Sequence, residues 1–158
     1  AFTKSKNLEL LENLKKWFDL KFEVIFFYNA YGPNQISKGY MATVIGIFED
    51  HYLKGLPIPL VKPGYQTRRF THVNDIIDVC IEAWKKNKCK KYISTNKDRF
   101  SIKTVAKLFG SNIKMLPERK GERYKSSLSK SKDIIIRFGK ISLKDYVLNF
   151  KLKNRKLM

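Results

Sequence analysis

Arg68 and Arg69 stand side by side, with Thr67 before them and Thr71 just beyond. A guanidinium held by a packed element grips an anionic oxygen pair through two parallel hydrogen bonds. The same residues in an open loop make only a solvated basic patch. Both readings stand on the residues alone. The element that must position the pair follows at once. Val73, Ile76, Ile77, Cys80, Ile81 and Trp84 recur at three- and four-residue spacings, which predicts a helix with one apolar face. Asn74 and Asp75 place short polar and acidic groups at its start, where free N–H groups and the positive dipole end favour them.

Other chemistries find little support. His51 and His72 are far apart and have no cysteine or carboxylate at cage spacing, so no metal site is expected. His51 is expected at the surface, and His72 is expected to pack or bond locally. Neither G-x-G-x-x-G nor G-x-x-x-x-G-K occurs, so the chain shows no dinucleotide loop of its own. Cys80 and Cys89 do not form a disulfide framework. Cys80 lies on the apolar helix face and reads as a small buried hydrophobe. A reducing, cytoplasmic setting follows as the expectation. No apolar run reaches bilayer length, and nothing resembles a signal peptide.

With 158 residues, 43% of them hydrophobic, the chain has enough material for one domain with a real core. Aromatic residues at 13% argue against disorder. The net charge of +19 permits binding to nucleic acid, an anionic membrane or a phosphorylated small molecule. Lysine dominates that charge and is scattered along the chain. A nucleic-acid module more often gathers its basic residues on one stripe with interleaved aromatics. Only residues 151–156 form a dense run, which reads as a frayed terminus.

The chain begins directly in a helical pattern and reads as cut there. Leu8, Leu11, Leu14, Trp17 and Phe18 are expected inward, with Lys15 and Lys16 outward. Residues 22–27 are apolar except for Glu23, which suits a strand covered on both faces of a parallel sheet. Tyr28-Asn-Ala-Tyr-Gly-Pro33 stops that strand. Ligands of open α/β sheets bind beyond the carboxyl ends of strands, so this turn is a candidate site wall. Residues 40–53 return to helical spacing through Val44, Ile45, Phe48 and Tyr52, with Gly55 closing the helix. Residues 57–61 are extended, and their prolines confine them to an edge or loop. Residues 91–95 are a short strand. Ser101 caps a helix bearing Ile102, Val105, Ala106 and Phe109, ended by Gly110. Residues 115–117 are extended, and residues 129–138 read as a short helix closed by Gly139. Ser142 and Asp145 resemble a capping box for a last helix with Leu143, Tyr146, Val147 and Phe150.

Five segments, in register, resemble one family. Phe2-Thr-Lys-Ser-Lys6 aligns with Tyr-x-x-x-Lys. Phe26-Phe-Tyr-Asn-Ala-Tyr-Gly-Pro-Asn-Gln35 looks like R-Y-F-N-V-Y-G-P-R-Q. Gly39-Tyr-Met-Ala-Thr-Val-Ile-Gly-Ile-Phe48 looks like a substrate-loop helix. Gln66-Thr-Arg-Arg-Phe-Thr-His-Val-Asn-Asp75 looks like Q-x-R-D-F-x-H-V-x-D, and Arg119-Lys-Gly-Glu122 looks like R-x-G-D/E. The chain resembles the C-terminal half of the extended short-chain dehydrogenases, the NAD-dependent nucleotide-sugar epimerases and dehydratases, nearest the UDP-glucose 4-epimerase type. The resemblance covers nearly the whole chain. It implies an α/β fold: the last strands of a Rossmann-type parallel sheet plus a small α/β substrate-binding lobe, with the N-terminal half absent. Residues 1–35 would end the NAD-binding domain. Residues 36–158 would be mainly the nucleotide-sugar lobe, with 70–95 returning to the sheet.

The resemblance also implies roles. Lys6 would bond the nicotinamide ribose and lower the pKa of the neighbouring tyrosine, since a nearby cation favours phenolate. Phe27 and Tyr28 would lie by the cofactor and sugar, and Asn29 would hydrogen-bond the diphosphate or sugar. Thr43 and Val44 would line the nucleotide pocket, with Leu60 and Val61 flanking the base. Arg68 and Arg119 would clamp the diphosphate, and Glu122 would accept from the ribose hydroxyls. Three places depart from the pattern, one of them Lys62-Pro63-Gly64 where the family has a G-D-G turn. Phe2 occupies the place of the tyrosine and has no proton to exchange, a loss that costs general acid–base catalysis ~10²–10⁴-fold. Arg69 replaces an acidic residue. The function implied is NAD-dependent oxidation and re-reduction at C4 of a UDP-hexose in the full-length parent, for which a homodimer is one expectation, with this chain supplying substrate contacts and inactive alone. A 4,6-dehydratase or decarboxylase of the same family, a catalytically inactive relative, and a basic nucleic-acid-binding protein are the alternatives. No specific nucleic acid and no membrane is the expectation for partners.

Overall fold

The computed structural model describes residues 2–121 and 124–154. Its order is α1 (Phe2–Phe18), β1 (Val24–Phe27), β2 (Ala30–Tyr31), α2 (Val44–Leu53), β3 (Ile58–Val61), β4 (Thr67–Arg68), β5 (Thr71–His72) and α3 (Val73–Lys86). There follow β6 (Lys91–Thr95), β7 (Phe100–Ser101), α4 (Ile102–Phe109), β8 (Ile113–Leu116), β9 (Ile134–Phe138) and α5 (Leu143–Asn154).

A parallel sheet forms one part, in the order β1-β6-β9. Its register sets Val24 beside Lys91 and Lys91 beside Ile134. Helix α3 joins β1 to β6 by way of β5 and packs Val79 and Ala83 on Tyr92, with Ile25 and Ile135 against them. The second part is the lobe. There β3 pairs with β8 in parallel and β4 with β7 antiparallel. Around them α2, α4 and α5 close a core holding Tyr31, Ile45, Phe48, Leu60, Val105 and Phe109. Phe109 stacks edge-on against Phe48 and Phe150, a geometry aromatic rings prefer.

Helix starts follow from local chemistry. Thr43 Oγ1 accepts from the Gly46 N–H at 3.0 Å, so α2 begins at Val44 and not at residue 40. Ser101 Oγ accepts from the Thr104 N–H and starts α4. His72 caps α3: its Nδ1 accepts from the Asn74 N–H at 3.2 Å. Its ring also meets Tyr31 and Tyr146 edge-on or tilted. His51 is half-buried, with Nδ1 2.8 Å from the Pro57 carbonyl.

Four expectations need correction. Residues 134–138 are a strand, not a helix: three consecutive isoleucines suit a pleated, partly covered surface, and β6 offers them a free edge. The inward face of α3 is Ile76, Val79 and Ala83, whereas Ile77, Ile81 and Trp84 are 48%, 44% and 75% exposed. Helix α1 buries no residue fully, and Trp17 and Phe18 point to solvent. Among the described residues strand β1 is an edge strand, with Phe26 and Phe27 exposed, rather than one covered on both faces. Leu8 and Leu11 of α1 share an apolar groove of about 410 Å³ with β1.

Within the sheet part an ion pair ties the third strand to the crossover helix. Arg137 of β9 grips Glu82 of α3 through Nε at 2.9 Å and Nη2 at 2.6 Å. That contact, with Lys86 beside it, pulls the Glu82 carboxyl down from 4.5 to about 2. A depressed folded-state pKa adds stability that is full above the unfolded value and fades as pH falls through the folded one. Glu82→Gln is therefore expected to lower unfolding free energy by about 1 kcal/mol at pH 7. Urea titrations between pH 7 and pH 3 should show that difference shrinking below pH 4.5.

Candidate functional site

Two clefts open beside the end of β1 and meet at Asn29 and Arg68. The first, about 340 Å³, is largely apolar: Val44, Ile47, Phe48, Pro59 and Val61 line it, with Arg119 at its rim. Strand alternation puts Pro59 and Val61 of β3 on this wall and turns Leu60 into the core at 1% exposure. The second, about 530 Å³, is polar and is lined by Tyr28, Gly121, Lys125, Ser126 and Ser127. An apolar slot that opens through arginines onto a polar chamber suits a flat ring, an anionic link and a hydroxylated group in series.

The chain turn after β1 positions Asn29 with φ +33, in the left-handed region that asparagine tolerates. Its Nδ2 donates to the Arg69 carbonyl at 2.8 Å, and its own carbonyl accepts from the Thr71 N–H at 3.3 Å. These bonds hold the end of β1 against β4 and β5. Arg68 lies in β4 opposite Phe100. Its Nη1 donates to the Thr67 carbonyl at 2.9 Å, which fixes the guanidinium at the meeting point of the clefts. Arg69 is turned away. It donates through Nη1 to the carbonyls of Asn96, at 2.8 Å, and Lys97. Burial and neighbouring Arg99 lower its pKa from the ordinary guanidinium value. Of the adjacent arginines, Arg68 is the one that lines both clefts.

Thr43 does not line either cleft. Its hydroxyl caps α2 and donates to Gln35 Oε1 at 2.9 Å. Gln35 in turn donates to Glu49, which also accepts from the Tyr146 hydroxyl at 2.7 Å. Burial raises the Glu49 pKa, while the Tyr146 and Gln35 bonds oppose that rise. This chain of bonds buttresses the wall that carries Val44. The Tyr28 hydroxyl donates to the Ser127 carbonyl at 3.0 Å. Glu122 lies outside the described residues.

Sequence reasoning missed Lys125, Ser126, Ser127, Pro59 and Ile47. Alternation along residues 57–61 carried a signal for Pro59. The serines carried none, because backbone bonds hold them in place.

Lys6 and Phe2 share one face of α1, with the ammonium 5.9 Å from the ring centre. Lys6 also pairs with Glu9 at 2.7 Å. At 100° per residue that face is opposite Leu8 and Leu11, which meet β1. Among the described residues Phe27 and Tyr28 line different clefts and Lys6 lines neither of them. Among the described residues no helix is long and apolar enough to cross a membrane.

The parallel sheet, its crossover helix and the lobe beside it have the fold of the C-terminal part of a Rossmann-type α/β protein. A profile of the NAD dependent epimerase/dehydratase family matches residues 1–94, and the chain belongs to that family. Solved structures agree on the fold. UDP-glucose 4-epimerase of Thermotoga maritima, with UDP-glucose, is 21% identical with a TM-score of 0.81, over 99% of this chain and 53% of that one. UDP-glucuronic acid 4-epimerase of Bacillus cereus, with UDP-glucuronic acid and NAD, is 18% identical with a TM-score of 0.77, over 99% and 52%. The dTDP-glucose 4,6-dehydratase DesIV of Streptomyces venezuelae, with NAD bound, is 16% identical with a TM-score of 0.75, over 94% and 50%. The chain thus spans about half the length of the solved structures it matches. No curated protein matches it.

Proposed function

We propose that this chain is the nucleotide-sugar-holding part of an NAD-dependent epimerase that acts at C4 of a UDP-hexose. The observation that carries this reading is the pair of clefts joined at Asn29 and Arg68. The uracil ring would sit between Val44, Phe48 and Val61. Arg68 and Arg119 would neutralise the diphosphate, and Asn29 would hydrogen-bond beside it. The hexose would occupy the polar chamber by Tyr28, Lys125 and Ser126. The relatives with UDP-glucose and with UDP-glucuronic acid support a nucleotide sugar as ligand. NAD would supply hydride transfer in the whole protein.

This chain binds and orients; it does not carry the chemistry. Phe2 holds no transferable proton, and the tyrosine-to-sugar proton step has no donor or acceptor there. Isothermal titration should therefore show UDP-glucose binding. Incubation of the chain with UDP-glucose and added NAD should give no UDP-galactose by chromatography. Epimerisation above background would sink the inactive reading. Tight binding to DNA with a steep salt slope, and none to UDP-glucose, would support a nucleic-acid module instead.

A further inference from the structure

Three polar atoms of Thr67 bear on the clefts, and none of the assignments above gives this residue a part. Its N–H donates to the Tyr124 carbonyl at 2.8 Å. Its Oγ1 accepts from the Ser126 N–H at 3.2 Å. Its carbonyl accepts from Arg68 Nη1 at 2.9 Å. Residues 124–127 form no helix or strand, so nothing periodic fixes their course. Yet Lys125, Ser126 and Ser127 make one wall of the polar chamber. Two side-chain hydroxyls hold that wall, Thr67 on one side and Tyr28 on the other. One residue thus joins the guanidinium at the cleft junction to the wall of the chamber beyond it.

We infer that Thr67 is a positioning residue for the sugar end of the ligand, acting through the tethered segment 124–127. The inference rests on the nucleotide-sugar reading of the clefts. The Oγ1 bond is the separable part, because the other two bonds use the Thr67 backbone and not its side chain. Valine keeps the β-branch that suits β4 and removes only the acceptor. Serine keeps the acceptor.

Titration of the wild-type chain, Thr67→Val and Thr67→Ser with UDP and with UDP-glucose tests it. Thr67→Val should bind UDP-glucose about fivefold more weakly, the worth of one net hydrogen bond. UDP, which lacks the sugar, should be little changed, and Thr67→Ser should restore both. Hydrogen exchange at the Ser126 amide should speed up in Thr67→Val alone, with amides of α4 unaffected. Equal weakening of UDP and UDP-glucose, as a general lesion gives, overturns the assignment. So does a wild-type ratio in Thr67→Val. A wild-type chain that binds neither ligand overturns the nucleotide-sugar reading itself, and the Thr67 role with it.

Discussion

Asp75→Ala is expected to lower the free energy of unfolding by about 3 kcal/mol. Asp75 is 6% exposed in the first turn of α3. One carboxylate oxygen accepts from the Lys140 N–H at 3.0 Å, the other from the Ile141 N–H at 3.1 Å. Hydrogen bonds to an ionised group contribute more than neutral ones, and loss of this acceptor strands two amide donors in a partly buried site. The carboxylate also sits where the α3 dipole favours negative charge. Its two amides connect α3 to the turn between β9 and α5, and so join the sheet to the lobe. Gly139 explains the tight fit: a Cβ there would lie 2.5 Å from Asp75 Oδ2. Chemical denaturation of Asp75→Ala and Asp75→Asn checks the expectation. Both should lose stability, with Asn the milder because it keeps one acceptor oxygen. Wild-type stability in Asp75→Ala would show that water replaces the carboxylate at no cost.

Arg68→Ala is expected to weaken UDP and UDP-glucose binding alike, by about 2 kcal/mol or roughly thirtyfold in Kd. The two clefts meet at this residue, and a planar fork matches phosphate oxygens in a way an ammonium does not. Arg68→Lys should therefore fall between wild type and alanine. The neighbour supplies the control. Arg69 is bound to the carbonyls of Asn96 and Lys97, so Arg69→Ala should reduce thermal stability and leave the affinity ratio of the two ligands untouched. Calorimetric titration of the three variants decides the matter. If Arg69→Ala loses the diphosphate and Arg68→Ala does not, the grip belongs to the other arginine. The contrast with Thr67 is built in: Arg68 should affect both ligands, Thr67 only the one that carries a sugar.

Much of this architecture is legible in the residues. The α4 helix follows from Ser101, the spacing of Ile102, Val105, Ala106 and Phe109, and the glycine beyond. Strand β6 follows from a short β-prone run. What fails does so for a physical reason. The Ile134-Ile-Ile136 run is too short for periodicity to separate helix from strand, and only the free edge of β6 decides it. The apolar residues of α3 span more of its circumference than the sheet covers, so spacing alone overstates the buried face. Arg68 and Arg69 are indistinguishable as residue types; the resemblance to Q-x-R-D-F, not charge, distinguishes Arg68, and only the fold reveals that Arg69 is bound to the carbonyls of Asn96 and Lys97. Pairing of Thr67 with residues 124–126 runs largely through backbone atoms, which leave no mark on side-chain pattern.

The sheet order has a consequence for how the chain reaches its fold. Strands β1, β6 and β9 are drawn from the beginning, middle and late part of the sequence. Each pairing must close a long loop before it gains anything. The lobe elements α2 and β3 pack on each other at short range, and α4 and β8 add to β3 soon after. During synthesis α2, β3 and α4 thus have their mutual contacts first, and β9 and then α5 join only when residues 134–154 have emerged. A ribosome stalled before that point would present α2, β3 and α4 with their core not yet closed by α5 and the edge of β6 still open.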